Sequence, residues 1–306
     1  MLDFLRDVQP ILDKHCLKCH GVDKRKGGVI LSGDPGPMFP LSYFTLTVRN
    51  QVSDGRNGPA NRAPRTIGSS ASPLLKKLLP SHNKVQTTPQ ERKIVRLWIE
   101  TGAAFPGTYA ALGSGMIGGY AQNKIDRSDL KWPSTTPAMK SLQKRCGSCH
   151  KGKMALPQTV SDNRPQPPWK TLTPDDPRRK FSRHLMYNLA RPEKSLILLA
   201  PLAKAAGGYG MTVKGADGKE DKCIEVFPDT SDKDYQAILA HIRDAAKKLD
   251  EIKRFHMPGF RPPWGYVREM KRYGILPASH KKGDPVDVYA ADRAYWKSLW
   301  YVPKSE

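Results

Sequence analysis

The chain has 306 residues, which suits two modest domains and exceeds one small core. Hydrophobic residues make up only 38%, Gly and Pro number 25 and 27, and 51 Lys and Arg against 29 Asp and Glu give a formal charge of +22. No stretch reaches the ~20 apolar residues of a transmembrane segment, and the basic runs, such as Lys24-Arg25-Lys26 and Arg178-Arg179-Lys180, are too short and too poor in interleaved aromatics for a nucleic-acid groove.

In chain order, Phe4, Val8, Ile11 and Leu12 recur at helical spacing, with Pro10 tolerable at a helix start, and lead to Cys16-Leu17-Lys18-Cys19-His20. Residues 21 to 70 are rich in Gly, Pro, Asn and Ser and read as loop, with a brief strand over Leu41 to Val48. Ser72-Pro73-Leu74-Leu75 opens a short helix that ends before Pro80-Ser81-His82. Thr88-Pro89-Gln90-Glu91 then carries the signature of a capping box with Pro at the first helical position. It predicts a helix presenting Ile94, Leu97 and Trp98 and stopping near Gly102.

The second half repeats this order. Ser141 leads to Cys146-Gly147-Ser148-Cys149-His150, and a Pro-rich loop follows, with Pro157, Pro165, Pro167, Pro168, Pro174 and Pro177. Ser195-Leu196-Ile197-Leu198-Leu199 echoes the Ser72 segment. Ser231 to Asp234 caps a helix with Tyr235, Ile238, Leu239, Ile242 and Leu249 on its apolar face. The expected fold is mostly α: two tandem cytochrome c-like helical domains with long Gly/Pro-rich loops. The first covers 1–110, a linker 111–137, the second 138–254, and an aromatic-rich extension 255–306 is expected to pack on a domain or a neighbouring subunit.

In Cys-x-x-Cys-His, two thiols about one helical turn apart can each add to a vinyl group of one porphyrin, and the next His then lies beneath the iron. Two covalently attached c-type haems are therefore expected, on Cys16, Cys19 and His20 and on Cys146, Cys149 and His150. A zinc ribbon would want its cysteine pairs closer in sequence, and thioredoxin-like chemistry would want a βαβ context. The sixth ligand decides between an electron carrier and a site open to a small molecule. His82 is the candidate over the first haem; His184, His241 and His256 are candidates over the second, with Met38, Met154 and Met186 as alternatives. His241 occupies the repeat position of Trp98 and also reads as packing, and His15 adjoins Cys16 too closely to reach the iron. Cys223 reads as a thiol in a loop.

The run Val8-x-Pro10-Ile11-Leu12-x-x-x-Cys16-x-x-Cys19-His20-Gly21, with Trp98-Ile99-Glu100-Thr101-Gly102-Ala103 closing the capped helix, resembles the planctomycete-type cytochrome C domain. With Leu199 to Gly208, the order also resembles the haem-bearing middle and C-terminal region of hydrazine synthase alpha subunits. The resemblance implies two c haems, an exported location and assembly with other modules. It also implies a catalytic haem with a Tyr ligand shortly after the motif, but here Lys24 and Met154 stand four residues after His20 and His150. That departure favours electron transfer in an exported redox complex over the oxidoreductase chemistry of nitrogen compounds, which stays the alternative.

The expected location is periplasmic or an equivalent extracytoplasmic compartment, because haem is attached there. The segment Met1 to Asp7 has no apolar run of a signal peptide, so the chain is expected to be a mature form, an incomplete gene product or a piece of a larger exported protein. The expected partner is a redox protein, acidic to match the basic surface, or other subunits of a complex, with no nucleic acid.

Overall fold

Asp3 caps a wide helical turn, Phe4–Val8, by accepting from Arg6 N, and the chain runs on into α1, Gln9–His20, which carries the first motif in its last turns. In the computed structural model, residues 2–53, 62–111, 127–162, 176–210, 212–214, 220–223 and 226–300 are described, and they are mostly helical. No helix among them is long and apolar enough to cross a membrane.

Four helices build the first half: α1, α2 (Leu41–Val48), α3 (Pro73–Lys77) and α4 (Pro89–Glu100). In α4, Thr88 accepts from Glu91 N while Glu91 accepts from Thr88 N, so two otherwise orphaned donors are satisfied reciprocally. The second half carries α5 (Thr135–Cys146), the one-turn helices α6 (Arg183–Met186) and α7 (Leu196–Leu199), and α8 (Lys233–Ile252). Between α7 and α8 a small antiparallel pair, β1 (Thr212–Lys214) and β2 (Glu220–Cys223), sets Thr212 opposite Cys223. Cys223 is therefore on a strand rather than in the expected loop, and its side chain lies outside the described residues. The tail supplies α9 (Trp264–Arg272) and α10 (Val288–Ser298).

The buried apolar residues gather in two large clusters and a small third one, Val22, Ile30, Leu41 and Leu199. The first collects Phe4, Leu12, Tyr43, Phe44, Val95 and Trp98; the second collects Leu142, Tyr187, Leu198, Phe227, Tyr235 and Ile242. Phe4 and Trp98 cross at 5.3 Å between ring centres, and the Trp98 indole donates to Ala104 O at 2.9 Å, so this buried aromatic keeps its one polar atom paired. The extension joins the first core through Phe255, Phe260, Tyr266 and Val288, and Tyr289 donates to Asp3 at 2.7 Å. Its last aromatics do not join: Trp296 and Trp300 are exposed.

Two other expectations are corrected. Leu41 to Val48 is a helix, buried at nearly every position, because a short apolar run takes whichever shape its surroundings bury; periodicity does not separate the two. The inner face of α4 is Val95, Trp98 and Ile99, while Leu97 faces outward, a rotation that the sequence pattern alone left open. The expected linker is largely outside the described residues, since 112–126 fall there, as do Pro165, Pro167, Pro168 and Pro174 of the Pro-rich loop.

The halves meet where the loop after the first motif touches the segment 183–209. Asp34 accepts from Arg191 at 2.7 Å and Asn188 at 2.6 Å, Leu189 N donates to Pro35 O, and Val22, Ile30 and Leu41 cluster with Leu199. Gly36 permits this approach, since a Cβ there would lie 2.8 Å from Phe39 O and 3.2 Å from His184 O. Near the junction, burial and then the Arg254 charge push His256 down to about 4.

Replacing Thr88 with Ala removes the α4 cap and is expected to cost about 1 kcal/mol in denaturant unfolding. Between pH 6.5 and about 4 the unfolded chain protonates His256 and the folded chain does not. Its contribution is therefore intact above pH 6.5 and is lost as pH falls through that window, by at most about 1.4 kcal/mol per pH unit. In His256→Phe, stability measured over pH 4 to 7 is expected to fall less steeply than in the parent.

Candidate metal centre

Both motifs are held by the same device. One and two residues before the first cysteine stand His15 and Lys14, and both reach Glu91 at the start of α4, at 3.1 and 2.9 Å. One and two residues before Cys146 stand Arg145 and Lys144, which meet the N-terminus of α8: Arg145 pairs with its cap, Asp232, and Lys144 with Asp234 at 2.9 Å. Glu91 is held down at about 2, first by the Thr88 backbone and then by Lys14. Asp234 is lowered chiefly by Lys144. Each motif is thus pinned to the amino end of the capped helix of its own half, where the helix dipole also favours the carboxylate.

After His20 the chain turns sharply at Gly21, where a Cβ would lie 2.9 Å from Leu17 O, and comes back so that Leu31 N donates to His20 O at 2.7 Å. The returning loop presents Lys26 O, 3.1 Å from His20 Nδ1. In the second motif His150 N continues the helical turn to Cys146 O, and His150 Nδ1 lies 3.1 Å from Met154 O. A backbone carbonyl only accepts, so in both rings Nδ1 carries the proton and Nε2 keeps its lone pair. That tautomer, oriented by a second-shell carbonyl, is what a metal-ligating histidine needs. Burial pushes His20 below its ordinary value against the opposing hydrogen bond to Lys26 O, and the His82 and Lys77 charges push the same way as burial.

Opposite His20 stands His82, from the turn that follows α3. The two rings are 6.2 Å apart between centres and within 7° of parallel. Two imidazoles bound on opposite sides of one metal by bonds of about 2 Å place their ring centres about 6 Å apart. The spacing and parallelism suit one metal atom between them.

The second motif has a different neighbour. Phe181 lies edge-on to His150 at 5.2 Å, and His150 has no other ring contact among the described residues. All eight histidines fall within those residues. His184 is wholly buried against Phe44 and Phe39 of the first core, at 4.8 and 5.8 Å, so the structure does not set it beside His150, where its sequence position pointed. Both its ring nitrogens lack a hydrogen-bond partner, and burial with the Arg183 and Arg254 charges holds it well below its ordinary value. His241 is corrected as well. Thr135 Oγ1 gives its proton to Asp129 O and takes that of His241 Nδ1 at 3.3 Å, while His241 Nε2 accepts from Val160 N at 3.4 Å, so both nitrogens are spent on packing. His15 is held by Glu91, and His256 packs on Phe255. Met38 and Met186 are core side chains; Met154 meets His150 with its carbonyl.

The thiols complete the donor set. Cys16, Cys19, Cys146 and Cys149 carry no disulfide, and no three or more His, Cys, Asp or Glu among the described residues converge as a metal cluster, so the two cysteine pairs do not join around one zinc. Cys16 packs on the first core and Cys146 within the second, and burial raises each thiol to about 11. At each motif one thiol lies against a core, Cys16 or Cys146, and the other stands off it, Cys19 or Cys149, with the motif histidine alongside; that donor set fits a covalently held porphyrin.

In haem-free protein, iodoacetamide is expected to label exposed Cys149 readily at pH 8, whereas Cys16 and Cys146 label slowly and accelerate as pH approaches about 11; mass mapping of the labelled peptides reads this. No protein-family model, curated protein or solved structure matches the chain.

Proposed function

We propose that this chain is a di-haem c-type cytochrome that transfers electrons in an exported redox complex. The single observation that carries the reading is the parallel pair His20 and His82, 6.2 Å apart and aligned, beside two thiols of an attachment motif. When bound, a haem supplies an iron that alternates between ferric and ferrous states. The protein's part is to hold it. Cys16 and Cys19 would attach it, His20 and His82 would offer it imidazole nitrogens, and Lys26 O orients the His20 ring. Two fixed imidazoles leave little to rearrange on a change of oxidation state, which suits an electron carrier.

A second reading, a haem-containing subunit that acts on a nitrogen compound, rests on the second motif. No histidine ring contacts His150 among the described residues, and the segment after α7, Ala200-Pro201-Leu202-Ala203, offers none where the segment after α3 offers His82. An iron held from one side only is open to a small molecule.

Protein matured with a c-type haem assembly system is expected to show two haems per chain in a pyridine haemochrome assay. After reduction it is expected to bind about one carbon monoxide per chain, and His82→Ala is expected to raise this to about two. Absence of covalent haem overturns the proposal. Absence of carbon monoxide binding in the parent overturns the second reading alone.

A further inference from the structure

The aromatic tail ends in a surface that the fold leaves uncovered. Helix α10 packs on the first core through Val288 and Ala291, and Tyr295 is the last of its side chains to reach that core. Beyond it, Leu299 N donates to Trp296 O and Trp300 N to Lys297 O, so the turn continues past Ser298. It holds Trp296, Leu299 and Trp300 at helical spacing on one side, 45, 55 and 68% exposed. Tyr273, at the end of α9 and also exposed, meets Tyr295 at 5.2 Å between ring centres, and Tyr295 meets Trp296 at 5.5 Å. Two helices thus contribute to one aromatic ridge, joined by ring contacts. Cations flank it. Arg293 and Lys297, one turn apart on α10, are exposed, and neither makes an ion pair among the described residues; Arg272 adjoins Tyr273. The carboxylates of the two helices are withdrawn. Asp292 is buried and accepts from Tyr266 at 2.7 Å, Glu269 is shared by Arg268 and Arg272 at 3.0 and 3.7 Å, and Asp287 caps the other end of α10.

From this we infer that the end of α10 is a peripheral membrane anchor, which seats Trp296, Leu299 and Trp300 in the headgroup layer of an anionic bilayer. Tryptophan and tyrosine favour that layer, where the ring meets the acyl boundary and the N–H or O–H stays wet. Arg293 and Lys297 stand beside the wedge, where anionic headgroups strengthen binding about fivefold for each cation. An interface with another protein is depleted in lysine and seats its aromatics in packed pockets. Here the aromatics stand outward from a helix end with lysine and arginine beside them, which fits a lipid surface better. A wedge of three apolar side chains and a few charges gives reversible attachment, far from the permanence of a spanning helix. No residue of either Cys-x-x-Cys-His run takes part, so the anchor stands or falls apart from the haem reading.

The test is co-sedimentation of the full chain with vesicles of phosphatidylcholine alone and of phosphatidylcholine mixed with phosphatidylglycerol. A chain of charge +22 is drawn to any anionic vesicle, so the decisive comparison is between places on the surface. The parent is expected to bind the mixed vesicles, less tightly as salt is added, and to bind phosphatidylcholine weakly. Trp296→Ala, Leu299→Ala and Trp300→Ala combined are expected to weaken binding to the mixed vesicles about tenfold or more, whereas Trp296→Phe with Trp300→Phe keeps most of it. Arg293→Gln with Lys297→Gln is expected to weaken it about tenfold, and Lys151→Gln with Lys153→Gln, exposed at the second motif, to leave it within about twofold. All these positions are exposed, so each variant is expected to unfold at the parent's denaturant midpoint. No binding by the parent, no loss in the alanine variant, or equal loss from the two pairs of cations overturns the anchor. A parent dimer that the alanine variant turns into monomer in sedimentation equilibrium, with vesicle binding unaltered, overturns it in favour of a second copy of the chain.

Discussion

Everything at either motif depends on a charge contact at the two residues just before it, where the helix bearing the cysteines is tied to the amino end of the capped helix. In the first half Lys14 and His15 grip Glu91; in the second Lys144 and Arg145 grip Asp234 and Asp232. The acids are also capping groups, so one side chain completes a helix terminus and locks two helices together. As surface pairs these contacts contribute little energy each. Their effect is geometric, because they determine which way the next turn, with its thiols and imidazole, faces.

The tautomer comes next. Each motif histidine turns its Nδ1 toward a backbone carbonyl, but the two carbonyls come from different places: Lys26 on the loop after Gly21, Met154 four residues past His150 in a short separate turn. The same chemistry is thus reached by two backbone routes, which marks the two halves as similar in plan and different in detail. The detail that matters most is across the site, where His82 faces His20 and an edge-on Phe181 touches His150.

The junction between the halves concentrates buried basic groups. His184 is enclosed by Phe39 and Phe44; Arg254, 3% exposed, donates to Gly36 O at 2.6 Å, and burial beside Arg183 holds it down to about 9. Such groups cost stability when enclosed and make the junction sensitive to acid. The tail reinforces the same region from outside, with Phe255 packed edge-on against Phe105 and Tyr289 bonded to Asp3. The first core, rather than the second, therefore gains the extra layer.

The sequence by itself determined the helical character and both Cys-x-x-Cys-His runs, because such a run and a capping box are local: their geometry follows from spacing along one helix. It also placed His82 at the end of a short helix, where the structure finds it. It could not decide which distant side chain faces which. His184 stood at a promising position and is buried in the other core; His241 stood at a core position and is indeed spent there, on Thr135 and Val160. Leu41 to Val48 took a helix because α6 and the first core close over it. Those outcomes are set by burial between segments roughly eighty to a hundred and forty residues apart, and no local pattern carries that information; only the tertiary structure decided them.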